Sequence, residues 1–179
     1  MKKLILLIVI LVSSISFAQQ RVGIQVTQDG KLAVLGDKEH GLSTGTLDVA
    51  IKIMMQGQQR EYGYMVVYPE FEYADLTIVA YRRWSANAGY IFNHFRQDKK
   101  LEIGASIGWG FIDRSLTDWS WGSNLFVHYK IKKNFKVIMS GQLTERSDLA
   151  ILYGKKFENE WRTSLRFGVQ IDIFDSYSR

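Results

Sequence analysis

The stretch Leu101-Glu102-Ile103-Gly104-Ala105-Ser106-Ile107-Gly108-Trp109-Gly110-Phe111 decides the fold. Its odd-numbered positions are all apolar, and its even-numbered ones are Glu, Gly or Ser. A repeat of two puts these sets on opposite faces of a β-strand. The alternation continues on both sides. Downstream, Trp119, Trp121, Ser123, Leu125, Val127, Tyr129 and Ile131 alternate with Ser120, Gly122, Asn124, Phe126, His128 and Lys130. Phe135 to Thr144 and Trp161 to Ile173 follow the same rule, as do Leu47 to Met55 and Trp84 to Phe92 upstream. Such runs exceed the roughly 5–6 residues usual for a globular strand. They match the roughly 9–11 residues that a tilted strand needs to cross a bilayer.

Turn signals divide the runs. Gln56 to Gln59, His94 to Lys100 and Lys132 to Asn134 read as polar turns, and Asp75 to Ile78 as a further reversal. Between the first and last of these reversals a strand is expected from about Arg60 to Tyr73. Pro69 lies inside it and cannot donate to a ladder. A bulge is expected there that flips the phase, with Tyr62, Tyr64, Val66 and Tyr68 outward before it and Glu70 and Glu72 inward after it. Arg21 to Gly36 reads as one bent strand, although Asp29-Gly30 is also a hairpin signal. Ser147 to Glu160 reads as a loop. The count is eight strands in an antiparallel up-and-down barrel, all-β, with ten strands as the alternative. An even count returns both termini to one side, as in single-chain bacterial barrels.

Composition bounds the rest. The chain has 179 residues, a net charge of +5 and no cysteine, which excludes a disulfide scaffold, a thiolate metal site and cysteine catalysis. Lys2 and Lys3 precede an apolar run from Leu4 to Val12, which ends in Ser16-Phe17-Ala18. This is the pattern of a secretory signal peptide over residues 1–18, leaving 19–179 as one barrel domain. The basic excess is mild and unclustered, so nucleic acid is not an expected partner.

Which face is inside separates a membrane barrel from a soluble lipocalin-like carrier. The polar face is rich in small residues, among them Gly104, Ser106, Gly108, Gly110, Ser120, Gly122, Ser140, Ser164 and Gly168. Small residues suit the cramped interior of an eight-stranded barrel. The apolar face carries the bulkiest side chains, and its positions in the strands starting at 47, 84, 101, 119, 135 and 161 include no charged residue. The polar face holds both signs: Asp48, Lys52, Glu70, Glu72, Arg83, Glu102, Arg146, Arg162, Arg166 and Asp172. Charges in a narrow lumen must pair, so a cross-barrel carboxylate–guanidinium network is expected. Trp84, Trp109, Trp119, Trp121 and Trp161 all fall toward one end of their strands, as a membrane-interface girdle does.

The rhythm Tyr90-Ile91-Phe92-Asn93 followed by Leu101-Glu102-Ile103-Gly104, with Gln142-Leu143-Thr144-Glu145-Arg146-Ser147-Asp148-Leu149, resembles the small outer-membrane β-barrel proteins of the OmpX and OmpA-transmembrane type, in their Bacteroidetes flavour. The resemblance implies the outer membrane of a Gram-negative bacterium, a lipid bilayer and lipopolysaccharide as surroundings, and a monomer. It transfers no cofactor, ligand or active site.

Three sets of residues are candidates for chemistry. His40, His94 and His128 show no metal-ligand spacing. His128 with Ser140 or Ser106 and Glu102 could form a nucleophile set, but an inward His beside a carboxylate is more often structural. Glu70 and Glu72 share a face, and pairing with Arg83 is the expected arrangement. The expected function is therefore a structural or surface-interaction barrel without catalysis. A small-solute pore, a soluble ligand carrier and a lipid-modifying enzyme are the alternatives.

Overall fold

A computed structural model describes residues 21–36, 43–75, 80–95, 100–114, 117–146 and 160–175. The segment expected to be a signal peptide, His40 and the stretch from Ser147 to Asn159 lie outside the described residues. Eight strands run in chain order: β1 (Arg21–Asp29), β2 (Asp48–Gln56), β3 (Gly63–Ala74), β4 (Tyr81–Phe92), β5 (Leu101–Asp113), β6 (Thr117–Lys132), β7 (Phe135–Arg146) and β8 (Glu160–Asp175). Each pairs antiparallel with its sequence neighbours, and β1 closes on β8 from Arg21↔Asp175 to Asp29↔Arg166. The result is a closed all-antiparallel barrel with no free edge, so every strand spends its ladder groups on two neighbours. Among the described residues no helix is long and apolar enough to cross a membrane; in this fold the strands are the candidate spans.

The period of two read from the sequence is the sidedness of the barrel. In β5, Glu102, Gly104, Ser106, Gly108 and Gly110 are buried, while Ile103, Ala105, Ile107 and Trp109 are exposed. Arg83 and Arg166 are 0% exposed, whereas Ile107 is 68% and Leu125 69% exposed. The lumen is filled by side chains rather than open. Part of that filling is an apolar layer of Met54, Tyr64, Val66, Tyr68, Ile91 and Phe126, most of it in the half toward the short turns. Glycine is required where that filling comes closest to a strand. A Cβ on Gly104 would meet the Phe126 ring, and one on Gly108 would meet the side-chain amide of Asn87.

Two expectations are corrected. No bulge occurs at Pro69. The ladder to β2 is interrupted opposite it, between Lys52↔Glu70 and Met55↔Val67, and resumes in the same register. On the other side β3 pairs β4 without a slip through Tyr68↔Asn87, Pro69↔Ala86 and Glu70↔Ser85. Tyr64, Val66 and Tyr68 therefore point inward with Glu70 and Glu72, and Met65 and Pro69 point out. Losing proline's donor costs a ladder bond. A phase flip would instead have left two tyrosine hydroxyls on the apolar face, whereas inside they bond to Glu102 and Ser106.

The second correction is at Asp29-Gly30, which is neither a hairpin nor the middle of a strand. Asp29 caps a short helix, α1 (Gly30–Val34), its Oδ1 accepting from the backbone N–H groups of Lys31 (2.8 Å) and Leu32 (3.1 Å). Gly36, at φ 71°, ends the turn in the left-handed region, with its N–H on the Lys31 carbonyl. The β2–β3 turn is also longer than expected, since β3 starts at Gly63 rather than near Arg60.

Candidate functional site

The alternation carries one set of charged side chains into the lumen, and strand stagger decides which of them meet. Near the end bearing α1, Arg166 of β8 is the hub. Its Nη2 donates to Asp48 Oδ1 (2.7 Å) and Glu72 Oε1 (2.6 Å), and its Nε donates to Gln142 Oε1 (2.6 Å). Arg162, two inward positions nearer the start of β8, donates to Asp48 Oδ2 (2.6 Å) and Asp29 Oδ2 (3.3 Å). Gln142 extends the network by donating to Glu70 Oε1 (3.1 Å). Glu70 is also 3.4 Å from Lys52 Nζ and 3.8 Å from Arg83 Nη1. Arg83 further donates to Ser120 and Ser85 (3.2 Å each). Arg146 lies over the Tyr81 ring, 4.6 Å from its centroid.

A second cluster sits toward the short-turn end, beside the apolar residues. Glu102 lies 2.7 Å from Lys130 Nζ, 3.1 Å from Lys136 Nζ and 3.6 Å from His128 Nδ1, and accepts from Tyr64 Oη (3.1 Å). Lys136 bridges onward to Asp172 (3.6 Å). The structure thus divides the ten charged residues of the expected network. Asp48, Lys52, Glu70, Glu72, Arg83, Arg162 and Arg166 form one cluster, Glu102 and Asp172 belong to the other, and Arg146 packs on Tyr81. Three partners were missed: Asp29, Lys130 and Lys136. Lys136 was legible, since it alternates with Phe135 and Val137 on the inward face. Asp29 was obscured by its turn-like pairing with Gly30.

Both clusters are buried ion pairs, whose desolvation cost offsets much of their attraction. Their larger consequence is that removing one member strands another charge. Between them the hydroxyls and amides of Tyr68, Ser106, Asn87 and Asn124 form a neutral polar belt. The sought nucleophile set is not assembled. Ser106 is engaged with Tyr68, and neither His128 nitrogen has a hydrogen-bond partner, the imidazole instead stacking on Phe126 at 5.0 Å. Among the described residues no group of three His, Asp or Glu is placed to hold a metal.

The outer surface carries the aromatics. Trp84, Trp109, Trp119, Trp121 and Trp161 are all exposed and all lie toward the end bearing α1. Trp109 stacks on Trp119 at 4.4 Å and 7°, and Phe71 packs against Trp84 at 4.3 Å. Tyr90, Phe92, Tyr129 and Phe174 are exposed toward the opposite end.

Neither a family profile nor a curated relative matches the chain. Among solved structures, it is similar to the Yersinia pestis outer membrane protein Ail, whose backbone structure was determined in a phospholipid bilayer nanodisc. The identity is 11%, the match covers 87% of this chain and 100% of Ail, and the TM-score is 0.54. Neisserial surface protein A aligns at 9% identity over 84% of this chain and 95% of its own, with a TM-score of 0.48. At such identity the likeness is one of architecture: this chain has the closed eight-stranded barrel fold of Ail.

Proposed function

We propose that the protein is an outer-membrane β-barrel of a Gram-negative bacterium with a structural or surface-interaction role. The observation that carries this is the inverted distribution of polarity. The strands bury Arg83, Arg166, Lys52 and Lys136 while leaving Leu125, Ile107, Ile173 and Met65 exposed. In water a continuous apolar belt of this extent would aggregate, because soluble monomers rarely expose patches beyond a few hundred Å². In hydrocarbon it costs nothing. The segment Lys2–Ala18 supports export through a cleaved signal peptide. The likeness to Ail, a protein studied in a phospholipid bilayer, supports the same setting. In this reading the barrel is a monomer, surrounded by phospholipid and, in the outer leaflet, lipopolysaccharide.

The filled lumen favours a non-conducting barrel over a solute pore. An apolar cluster that includes Tyr68 and Phe126 fills part of the lumen, and a barrel of eight strands is only wide enough to be packed by side chains. Expressed in cells, the protein is expected in the outer-membrane fraction, with unheated and boiled samples at different gel positions. Recovery in a detergent-free soluble fraction would reject the proposal. A steady unitary current in a planar bilayer would instead reject the non-conducting role and leave the membrane location standing.

A further inference from the structure

Among the described residues the two rims of the barrel differ in charge. At the rim bearing α1 the described exposed and half-exposed groups are of mixed sign: Lys31, Arg82, Arg114 and Arg162 among Asp75, Asp113, Asp118 and Glu145. At the short-turn rim, Arg60, Lys100, Lys132 and Lys133 are exposed, with Glu61 as the exposed acid among the described residues.

That basic rim is a hydrogen-bonded ledge. Gln59 and Asn93 exchange side-chain amide bonds (3.0 and 2.9 Å), which ties the β2–β3 turn to the end of β4. The Asn93 N–H donates to the Tyr62 carbonyl (3.0 Å), the Lys130 N–H to the Lys100 carbonyl (3.0 Å), and the Asp172 N–H to the Asn134 carbonyl (3.0 Å).

The register also places charge beside apolar surface. Pairing slips between Lys130↔Lys136 and Lys132↔Phe135, so Ile131 is an extra residue in β6. Such a bulge breaks the alternation. Lys130 turns inward to Glu102, whereas Ile131 and Lys132 are both exposed. The lysines thus stand just beyond an exposed apolar band of Tyr129, Ile131 and Phe92.

We infer that this ledge seats on the anionic headgroups of a phospholipid leaflet, with Lys132 and Lys133 as its principal contacts to phosphodiester groups. The inference rests on the membrane reading above. Apolar side chains hold the barrel at the hydrocarbon edge, and ammonium groups on flexible stems reach the headgroup layer beside them. A basic residue near an anionic surface gains affinity on the order of fivefold at moderate ionic strength.

The test uses the full chain refolded into vesicles of phosphatidylcholine, with or without a minor share of phosphatidylglycerol. Spin-labelled phosphatidylglycerol and phosphatidylcholine report which lipid is motionally restricted at the barrel surface. The expected result is a two- to fivefold preference, on the order of one such contact, for phosphatidylglycerol at low salt. It should fall toward unity at high salt as screening sets in. A Lys132→Gln/Lys133→Gln variant should lose most of the preference, and Lys132→Arg/Lys133→Arg should keep it. Equal restriction of both lipids by an inserted, heat-shifting barrel overturns the inference and leaves the membrane reading intact. An undiminished preference in the glutamine variant overturns the assignment to this ledge. Salt-sensitive binding of poly-glutamate in detergent, without any lipid preference, would assign the ledge to a soluble anionic partner instead. Failure to insert into either vesicle overturns both readings together.

Discussion

Gly108 and Leu125 are a matched pair for testing which surface of the barrel is packed. Gly108 faces the lumen from β5. A Cβ added there would lie 2.6 Å from Asn87 Cγ and 3.2 Å from the Ala86 carbonyl oxygen, besides striking Asn87 Oδ1. In Gly108→Ala the Asn87 amide must move, and it currently donates to Ser85 Oγ (3.0 Å) and the Tyr68 carbonyl (3.5 Å). Overpacking costs about 1–3 kcal/mol, and each weakened hydrogen bond adds about 0.5–1.5 kcal/mol. The lower backbone entropy of alanine returns about 0.5–1 kcal/mol. The net expectation is a loss of about 1–3 kcal/mol, dominated by the overpacking. Leu125 is 69% exposed and pairs with Ala105 and Gly141 on the outer face. Leu125→Trp exchanges one lipid-facing apolar group for another and should stay within about 0.5 kcal/mol. Leu125→Arg at mid-strand should cost about 2–4 kcal/mol in a bilayer. Urea-unfolding midpoints of the three variants, in phospholipid vesicles, give the comparison. A neutral Leu125→Arg, or a Leu125→Trp less stable than Gly108→Ala, would refute the lipid-facing assignment.

Other outcomes follow from the same geometry. Arg166→Met leaves Asp48 and Glu72 without their shared guanidinium and should destabilise by about 3–5 kcal/mol; adding Glu72→Gln should recover part of that loss in the same unfolding assay. Lys136→Met should cost less, toward the lower end of about 3 kcal/mol, because Glu102 keeps Lys130 at 2.7 Å; an equal loss in both variants would argue against the partner assignment. Removing the apolar layer with Tyr68→Ala/Phe126→Ala should raise ion leakage in planar bilayers above that of the unaltered chain. Because native cysteine is absent, single cysteines can test the expectation that the end bearing α1 faces the cell exterior: Asp75→Cys should react with an impermeant thiol reagent on intact cells, and Gln58→Cys only after permeabilisation; the reverse pattern would place the short turns outside.

The periodicity and the sidedness were legible in the sequence, which favoured eight strands and left ten open. An alternation such as Leu101 to Phe111 is a local property, since a side-chain period of two assigns each residue to a face before any partner is known. The absence of charge on one face and the run of Gly and Ser on the other then oriented the barrel. The structure decided what depends on neighbours. Arg166 reaches Glu72 and Asp48 across 94 and 118 residues of sequence, and such pairings follow from the stagger of strands around a closed barrel. At Pro69 the local rule failed because two flanking registers, held by β2 and β4, outweighed one lost donor. At Asp29 a turn-like dipeptide became a helix cap because its carboxylate could satisfy two N–H groups with one oxygen and meet Arg162 with the other. Side-chain direction is written along a strand, but the identity of the partner is set only when the sheet closes.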